Sequence, residues 1–273
     1  MKRFVRRFLL GVLLALPMPA VAAPPQRVVT VNLCLDQLAL RIAAPGQLVG
    51  VSYLSHDPRI SVLADRALDV PSVRATVESI LALAPDLVVM DATSHANLKR
   101  LLRKAGVPIL ELPWAASITD AEDRLARLGE AMGRQEAARA VIGAMKSERE
   151  ALAWRGPPGG RAAVLQANRG TTGEGSLMDE LLRLAGLGNL AADLGIPAYG
   201  RLSLETVIAN TPAFIVLDGT ANADPARATE FVDHHALRTL AGRARVVSLP
   251  FKYAICAGPE NFEALRLLVE ARR

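Results

Sequence analysis

The residues with the most chemistry to offer are four histidines, two cysteines and a pair of glutamates placed alike in two similar segments. The histidines are His56, His95, His234 and His235. The adjacent pair lies in the polar stretch 230–238 and reads as surface, so only His56 stands where a strand should end. A zinc or manganese site needs several histidines and carboxylates converging on one place. The chain has no His-Glu-x-x-His motif, no Gly-x-Ser-x-Gly elbow and no phosphate loop ending Gly-Lys-Ser/Thr. Gly173-Glu174-Gly175 lacks the third glycine of a dinucleotide loop, and its acid would repel phosphate, so it reads as a turn. A Cys34–His56 nucleophile pair lacks an orienting motif. Neither a resident metal nor a catalytic centre is therefore expected.

The elements that position these residues begin after residue 22. Lys2, Arg3, Arg6 and Arg7 precede an apolar run from Phe8 to Leu16 and the small residues Ala20-Val21-Ala22, which is the pattern of a cleaved export signal. The run is about half the ~20 residues that span a bilayer. No cysteine follows directly, which argues against lipid attachment. Cleavage near Ala22 leaves 251 residues, with 28 basic against 27 acidic side chains. The full chain's net charge of +5 thus resides mostly in the signal, and a nucleic-acid partner loses its support. Hydrophobic residues make up 51% of the chain, which excludes disorder, and two cysteines cannot form a disulfide scaffold. After export, Cys34 and Cys256 are either bridged across 222 residues or remain two separate buried thiols.

The body of the chain is written twice. Thr76-Val77-Glu78-Ser79-Ile80-Leu81-Ala82, Pro85 and Asp86 to Asp91 recur as Ser203-Leu204-Glu205-Thr206-Val207-Ile208-Ala209, Pro212 and Ala213 to Asp218, at a constant offset of 127 residues. Arg74 and Arg201 share that offset. Each copy predicts a Ser/Thr N-cap, a short helix with an acid in its first turn, a proline stop and a buried parallel strand. Looser pairs support the duplication. Arg27–Asn32 and Arg161–Ala167 are strand-like and lead to helices carrying Asp36-Gln37-Leu38 and Asp179-Glu180-Leu181. Val107–Leu110 and Arg245–Ser248 run into Leu112-Pro113-Trp114 and Leu249-Pro250-Phe251. Between the copies, Thr119 and Glu122 have capping-box spacing. A helix from about residue 134 to 154 would act as a strut, with Gly133 dividing it from the helix before.

The expected fold is α/β: a signal peptide at 1–22, a lobe at 23–117, an interlobe helix at 118–156 and a second lobe at 157–273. The lobes carry parallel-type sheets, are joined by one long helix and face a common cleft. Ligands of such sheets sit beyond the C-terminal ends of the strands. That places Tyr53, His56, Arg74 and Trp114 in one wall, and Arg169, Tyr199, Arg201, Phe251 and Tyr253 in the other. The aromatics suit a flat macrocycle, and Arg74, Arg169 and Arg201 suit carboxylates.

Together these residues resemble the periplasmic binding proteins of cobalamin, ferric-siderophore and haem importers, whose lobes are joined by a long helix. The likeness covers residues 26–273. It is carried by Arg27-Val28-Val29-Thr30-Val31-Asn32, Val49-Gly50-Val51-Ser52 and Glu78 with Ala84-Pro85-Asp86-Leu87-Val88, and is strongest to the shorter, cobalamin-type members. It implies a monomeric, periplasmic, non-enzymatic protein without a resident cofactor, whose ligand is a corrinoid, a ferric siderophore or haem, the last with an axial contact from His56 or Tyr53. It also implies a dimeric permease as partner, with Glu78 and Glu205 as the docking acids. Sparse cleft aromatics depart from the family pattern.

Overall fold

The computed structural model describes residues 23–218 and 244–273, so the export signal and His234-His235 lie outside the described residues. In the first half β1 (Val28–Thr30), α1 (Leu33–Ile42), β2 (Leu48–Ser52), α2 (Ala64–Ala67), β3 (Ser72–Val73), α3 (Val77–Leu81), β4 (Leu87–Asp91), α4 (Ala96–Lys104) and β5 (Ile109–Leu112) follow in turn. Their strands form one parallel sheet in the order β3-β2-β1-β4-β5. Next come α5 (Ile118–Ala131) and α6 (Gln135–Leu152), packed on each other. In the second half are β6 (Arg161–Leu165), β7 (Gly170–Thr171), α7 (Leu177–Leu184), β8 (Gly188–Asn189), α8 (Leu190–Asp193), β9 (Gly200–Arg201), α9 (Leu204–Asn210), β10 (Phe214–Asp218), β11 (Arg245–Leu249) and α10 (Asn261–Arg272). The second parallel sheet runs β11-β10-β6-β8, and β7 and β9 make a separate antiparallel ribbon.

The two sheets share one strand order, β2-β1-β4-β5 matching β8-β6-β10-β11. The duplication extends to the backbone. Thr76 and Ser203 cap α3 and α9 by accepting the N–H of the third residue on, at 3.2 Å in both. Each segment then passes a residue in the left-handed region immediately before its proline, Ala84 with φ 43° and Thr211 with φ 39°. The right-handed helical region is disfavoured before proline, so the left-handed residue falls at the same place in both copies, although α3 ends at Leu81 and α9 runs on to Asn210. The cap of α5 differs from expectation. Ser117, two residues before the Thr119 read from the sequence, accepts from Asp120 N, while Asp120 Oδ2 accepts from Ala116 N at 2.9 Å. Glu122 is instead buried, with Lys146 of α6 3.8 Å away.

The connecting segment is two helices, broken at Gly133, whose φ of 66° is open to glycine at little cost. Helix α6 is the long one, with 18 residues. At ~1.5 Å per residue it reaches about 27 Å. It packs on α1 of the first lobe and on α10 of the second. A continuous apolar core follows the same path, from Val28, Leu48 and Val89 through Leu35, Leu38, Leu125 and Met145 to Val164, Phe214, Val216 and Leu265. The opposite faces of the sheets have cores of their own, around Val29, Val88 and Leu102 and around Ala163, Ile215 and Val207. Neighbouring strand residues thus enter different cores, which accounts for their unbroken apolar runs.

Three further contacts join α1 to the 256–260 segment of the other lobe. A disulfide links Cys34 to Cys256, with Cα atoms 5.2 Å apart. Arg41 Nη2 meets Glu260 Oε2 at 2.9 Å, and Gln37 Nε2 donates to Glu260 Oε1 at 3.4 Å. Burial pushes the Glu260 carboxyl up and the Arg41 guanidinium down from their ordinary values, and each partner opposes the other's shift. Removing one member of such a buried pair leaves an uncompensated charge, at a cost of about 3–5 kcal/mol. Arg41→Met should therefore lower the unfolding free energy by about that amount, and adding Glu260→Met should recover most of it. Urea unfolding of both variants checks this, and equal losses in the single and double variants would contradict it.

Candidate functional site

An apolar cavity of about 340 Å³ lies at the C-terminal ends of the second sheet's central strands. Val164 and Leu165 come from β6, Val216 and Leu217 from β10, and Leu249 from β11. β6 and β10 adjoin although the chain leaves them in opposite directions along the sheet, so the cavity occupies the switch point where open α/β sheets take ligands. Trp114 reaches it from the first lobe, and Tyr199 and Phe251 from the second. Trp114 is 49% exposed and Tyr199 is 62% exposed, large apolar surfaces held open to solvent. The volume is near the lower end of the ~300–1,000 Å³ typical of ligand sites.

Trp114 is fixed by a buried polar network. Asp91, at the end of β4, accepts from Asn32 Nδ2 at 2.6 Å and from Arg124 Nη2 of α5 at 2.9 Å. Arg124 Nε in turn donates to the carbonyl of Pro113, the residue before Trp114. Burial lowers the Arg124 guanidinium, while Asp91 works against that shift. The next turn is tied to the other lobe, where Ile118 N donates to Glu180 Oε2 of α7 at 2.8 Å. One side chain of the first lobe is thereby held over the strand ends of the second.

Trp114, Tyr199 and Phe251 line this one cavity, and the other sequence candidates are not among its lining residues. Tyr53, 50% exposed, lies under the Arg74 guanidinium, 5.2 Å from its ring centre, so these two engage each other. The His56 Nε2 is 3.1 Å from the Val70 carbonyl, which can only accept, so Nε2 carries the hydrogen. Its Nδ1 is buried without a partner and is closed to an axial ligand. Arg169 and Arg201 are exposed beside the β7–β9 ribbon, and Arg169 has φ 59°. Tyr253 packs against the main core, and its carbonyl accepts from Asn261 Nδ2 at 2.9 Å. Glu78 and Glu205 are exposed in the first turns of α3 and α9.

Sequence reasoning passed over Gln166, Thr172, Ser176, Leu177 and Met178, which also line the cavity, as do Ala254 and Ile255. The signal was Ser176-x-x-Asp179, a helix start directly after the Gly173-Glu174-Gly175 turn. Ser176 does cap α7, accepting from Asp179 N at 3.1 Å. No group of three or more His, Cys, Asp or Glu able to hold a metal ion occurs among the described residues. No described helix is long and apolar enough to cross a membrane.

A family model described as "Periplasmic binding protein" matches residues 28–252. The chain belongs to that family. It is 30% identical over 221 residues to the vitamin B12-binding protein of Salmonella choleraesuis, covering 79% of this chain and 80% of that one. It is 29% identical over 212 residues to the cobalamin-binding protein of Halobacterium salinarum, covering 73% of this chain but only 57% of the archaeal one. Among solved structures, the periplasmic haem-binding protein of a Roseiflexus species superposes with a TM-score of 0.72 at 22% identity, over 91% of this chain and 99% of that one. The periplasmic vitamin B12-binding protein of Vibrio cholerae gives 0.67 at 20% identity, over 91% and 96%. These last two likenesses show the two-lobed fold.

The first lobe's wall has a titratable support. Asp36, fully buried on α1, accepts from Ser52 N at 3.0 Å and from Ser55 Oγ at 2.6 Å, and so holds the turn that presents Tyr53. Burial pushes its carboxyl up to about 7, against the lowering effect of the hydrogen bonds from Ser55 and Ser52. The native state therefore binds this proton more tightly than the unfolded chain does. Its stabilising contribution is complete below the ordinary carboxylate value near 4 and is lost as pH rises through about 7. Stability of the wild type relative to Asp36→Asn should fall across that window and level off above it. Urea midpoints from pH 4 to 8 measure the difference, and a difference constant with pH would contradict the assignment.

Proposed function

We propose that this chain is the periplasmic substrate-binding component of an ABC importer. It captures a metal chelate, a corrinoid or a ferric siderophore, between its lobes and delivers it to a permease dimer in the inner membrane. The observation that carries this reading is the apolar cavity at the second sheet's switch point, walled by Trp114 from one lobe and by Tyr199 and Phe251 from the other. Wide aromatic faces bury a flat macrocycle at low entropic cost, because each has only two side-chain torsions to fix. The relatives named for cobalamin and vitamin B12 support the same ligand class.

Haem is the second reading, supported by the haem-binding structural neighbours. An axial contact from His56 is disfavoured by its bond to Val70, and one from Tyr53 competes with Arg74.

Delivery needs a docking surface on each lobe. Glu78 and Glu205 occupy matching first turns of α3 and α9, and two acids related by the duplication suit a two-subunit permease. An acid there gains about 0.3–1 kcal/mol from the helix dipole alone, which does not require the same residue at the same offset in both lobes. The reading further takes the mature protein to be an exported monomer, cleaved near Ala22.

Two measurements test these roles. Purified mature protein, titrated with cyanocobalamin, haemin and a ferric-siderophore panel, should quench its tryptophan fluorescence with one of them, and Trp114→Ala should weaken that binding about tenfold or more. Silence toward every chelate would overturn the reading. A Glu78→Ala, Glu205→Ala double variant should bind ligand normally but fail to stimulate the ATPase of the reconstituted transporter. Full stimulation would reject the docking role.

A further inference from the structure

We propose that the Cys34–Cys256 bridge is a positioning device for the ligand cavity. It holds the two facing walls in register, so that chelate affinity, and not only stability, depends on the bridge. The inference rests on the chelate-binding reading of the cleft and names the residues that set its geometry from behind the walls.

Each end of the bridge leads by a short chain of bonds to one wall. In the second lobe, Cys256 directly follows Ala254 and Ile255, which line the cavity together with Phe251. This turn is tied to itself and to α10. The amides of Ala254 and Ile255 both donate to the Phe251 carbonyl at 2.9 Å. The fully buried Asn261 donates through Nδ2 to the carbonyls of Tyr253 and Cys256 at 2.9 and 2.8 Å, and its Oδ1 accepts from Gly258 N at 2.8 Å. In the first lobe, Asn32 Oδ1 accepts from Cys34 N at 2.9 Å while Asn32 Nδ2 donates to Asp91 at 2.6 Å. Asp91 holds Arg124, whose Nε donates to the carbonyl of Pro113, just before Trp114. The apolar group around the two cysteines also contains Leu54, next to Tyr53, and Ile255 of the cavity wall.

Position along α1 separates the bridge from the other polar tie between the lobes. In a parallel α/β unit the helix after a strand starts at that strand's C-terminal end, which is the cleft side. Cys34 is in the first turn of α1 and therefore at the cleft edge. Arg41 is in the last turn, ~10 Å further along the axis, and its pair with Glu260 joins the lobes at the rear. Two ties at different depths fix an angle between the lobes that either one alone leaves free. Without the front tie the cleft can gape about the rear one. A gaping cleft must close before Trp114 and Phe251 can face one ligand together. The binding-competent fraction falls, and apparent affinity falls in proportion to it.

Titrations of cyanocobalamin, haemin and one ferric hydroxamate into full mature protein, read by tryptophan quenching, test the role. A Cys34→Ala, Cys256→Ala double variant, checked for folding by circular dichroism, should bind the chelate that wild type binds about tenfold more weakly, as when about one molecule in ten is closed. Concentrated sucrose favours the compact state and carries the same comparison if the variant is unfolded in buffer. The Arg41→Met, Glu260→Met double variant loses the rear ion pair but keeps the bridge, and should bind within about twofold of wild type. A bridge that only stabilises the fold predicts no such contrast. Spin labels at Leu68→Cys and Leu194→Cys in the bridge-less background should change their separation by more than about 2 Å when the chelate is added. Unchanged affinity in the folded bridge-less variant would overturn the positioning role while leaving chelate capture intact. So would a tenfold loss in the Arg41→Met, Glu260→Met variant, an arm that does not depend on how the bridge-less chain folds. Binding of none of the chelates by wild type would instead overturn the function on which the role rests.

Discussion

The shared contact between α1 and the 256–260 segment is what the remainder of the molecule relies on. Cys34–Cys256, Arg41–Glu260 and Gln37–Glu260 join the lobes within a few residues of one another. The disulfide closes a loop of 222 residues, for which chain entropy gives on the order of 5 kcal/mol. The apolar core runs unbroken through the same region, between α1, α6 and α10. Separating the lobes would expose that core and unpair a buried carboxylate, so the cleft is a fixed feature of the fold. This explains how Trp114, from one lobe, can serve as part of a wall built mainly by the other.

Around that clamp the polar groups are used for position. Asp91, Arg124 and Pro113 set Trp114; Asp36, Ser52 and Ser55 set the turn of Tyr53; Glu180 ties the start of α5 to α7. The side chains that make these bonds are buried or partly buried, where a satisfied network is worth more than at the surface and a broken one costs more. The cavity itself receives little of this polarity.

Much of the fold was legible because duplication writes its signals twice. The Glu, Ala, Pro, Val and Asp coincidences located α3, β4, α9 and β10, and their caps and stops follow local rules of a single turn. The cap of α5 was misplaced because Ser117-x-x-Asp120 and Thr119-x-x-Glu122 satisfy nearly the same pattern. Only packing decides, by burying Glu122 toward α6. Of the cleft residues, aromatics that follow Leu-Pro at a strand end were found in both lobes. Spacing along a strand end does not reveal partners such as the Arg74 guanidinium over Tyr53 or the Val70 carbonyl beside His56, which only the folded structure shows.

The central claim is that two clamped lobes take a metal chelate into a preformed cleft. Its most direct test is the distance between lobes with and without ligand. Both cysteines are consumed by the disulfide, so spin labels at Leu68→Cys and Leu194→Cys, exposed positions on the first and second lobes, would report alone. Pulsed electron resonance should show the label distance moving by less than about 2 Å when cyanocobalamin is added. A hinge closure of many ångströms would contradict the claim.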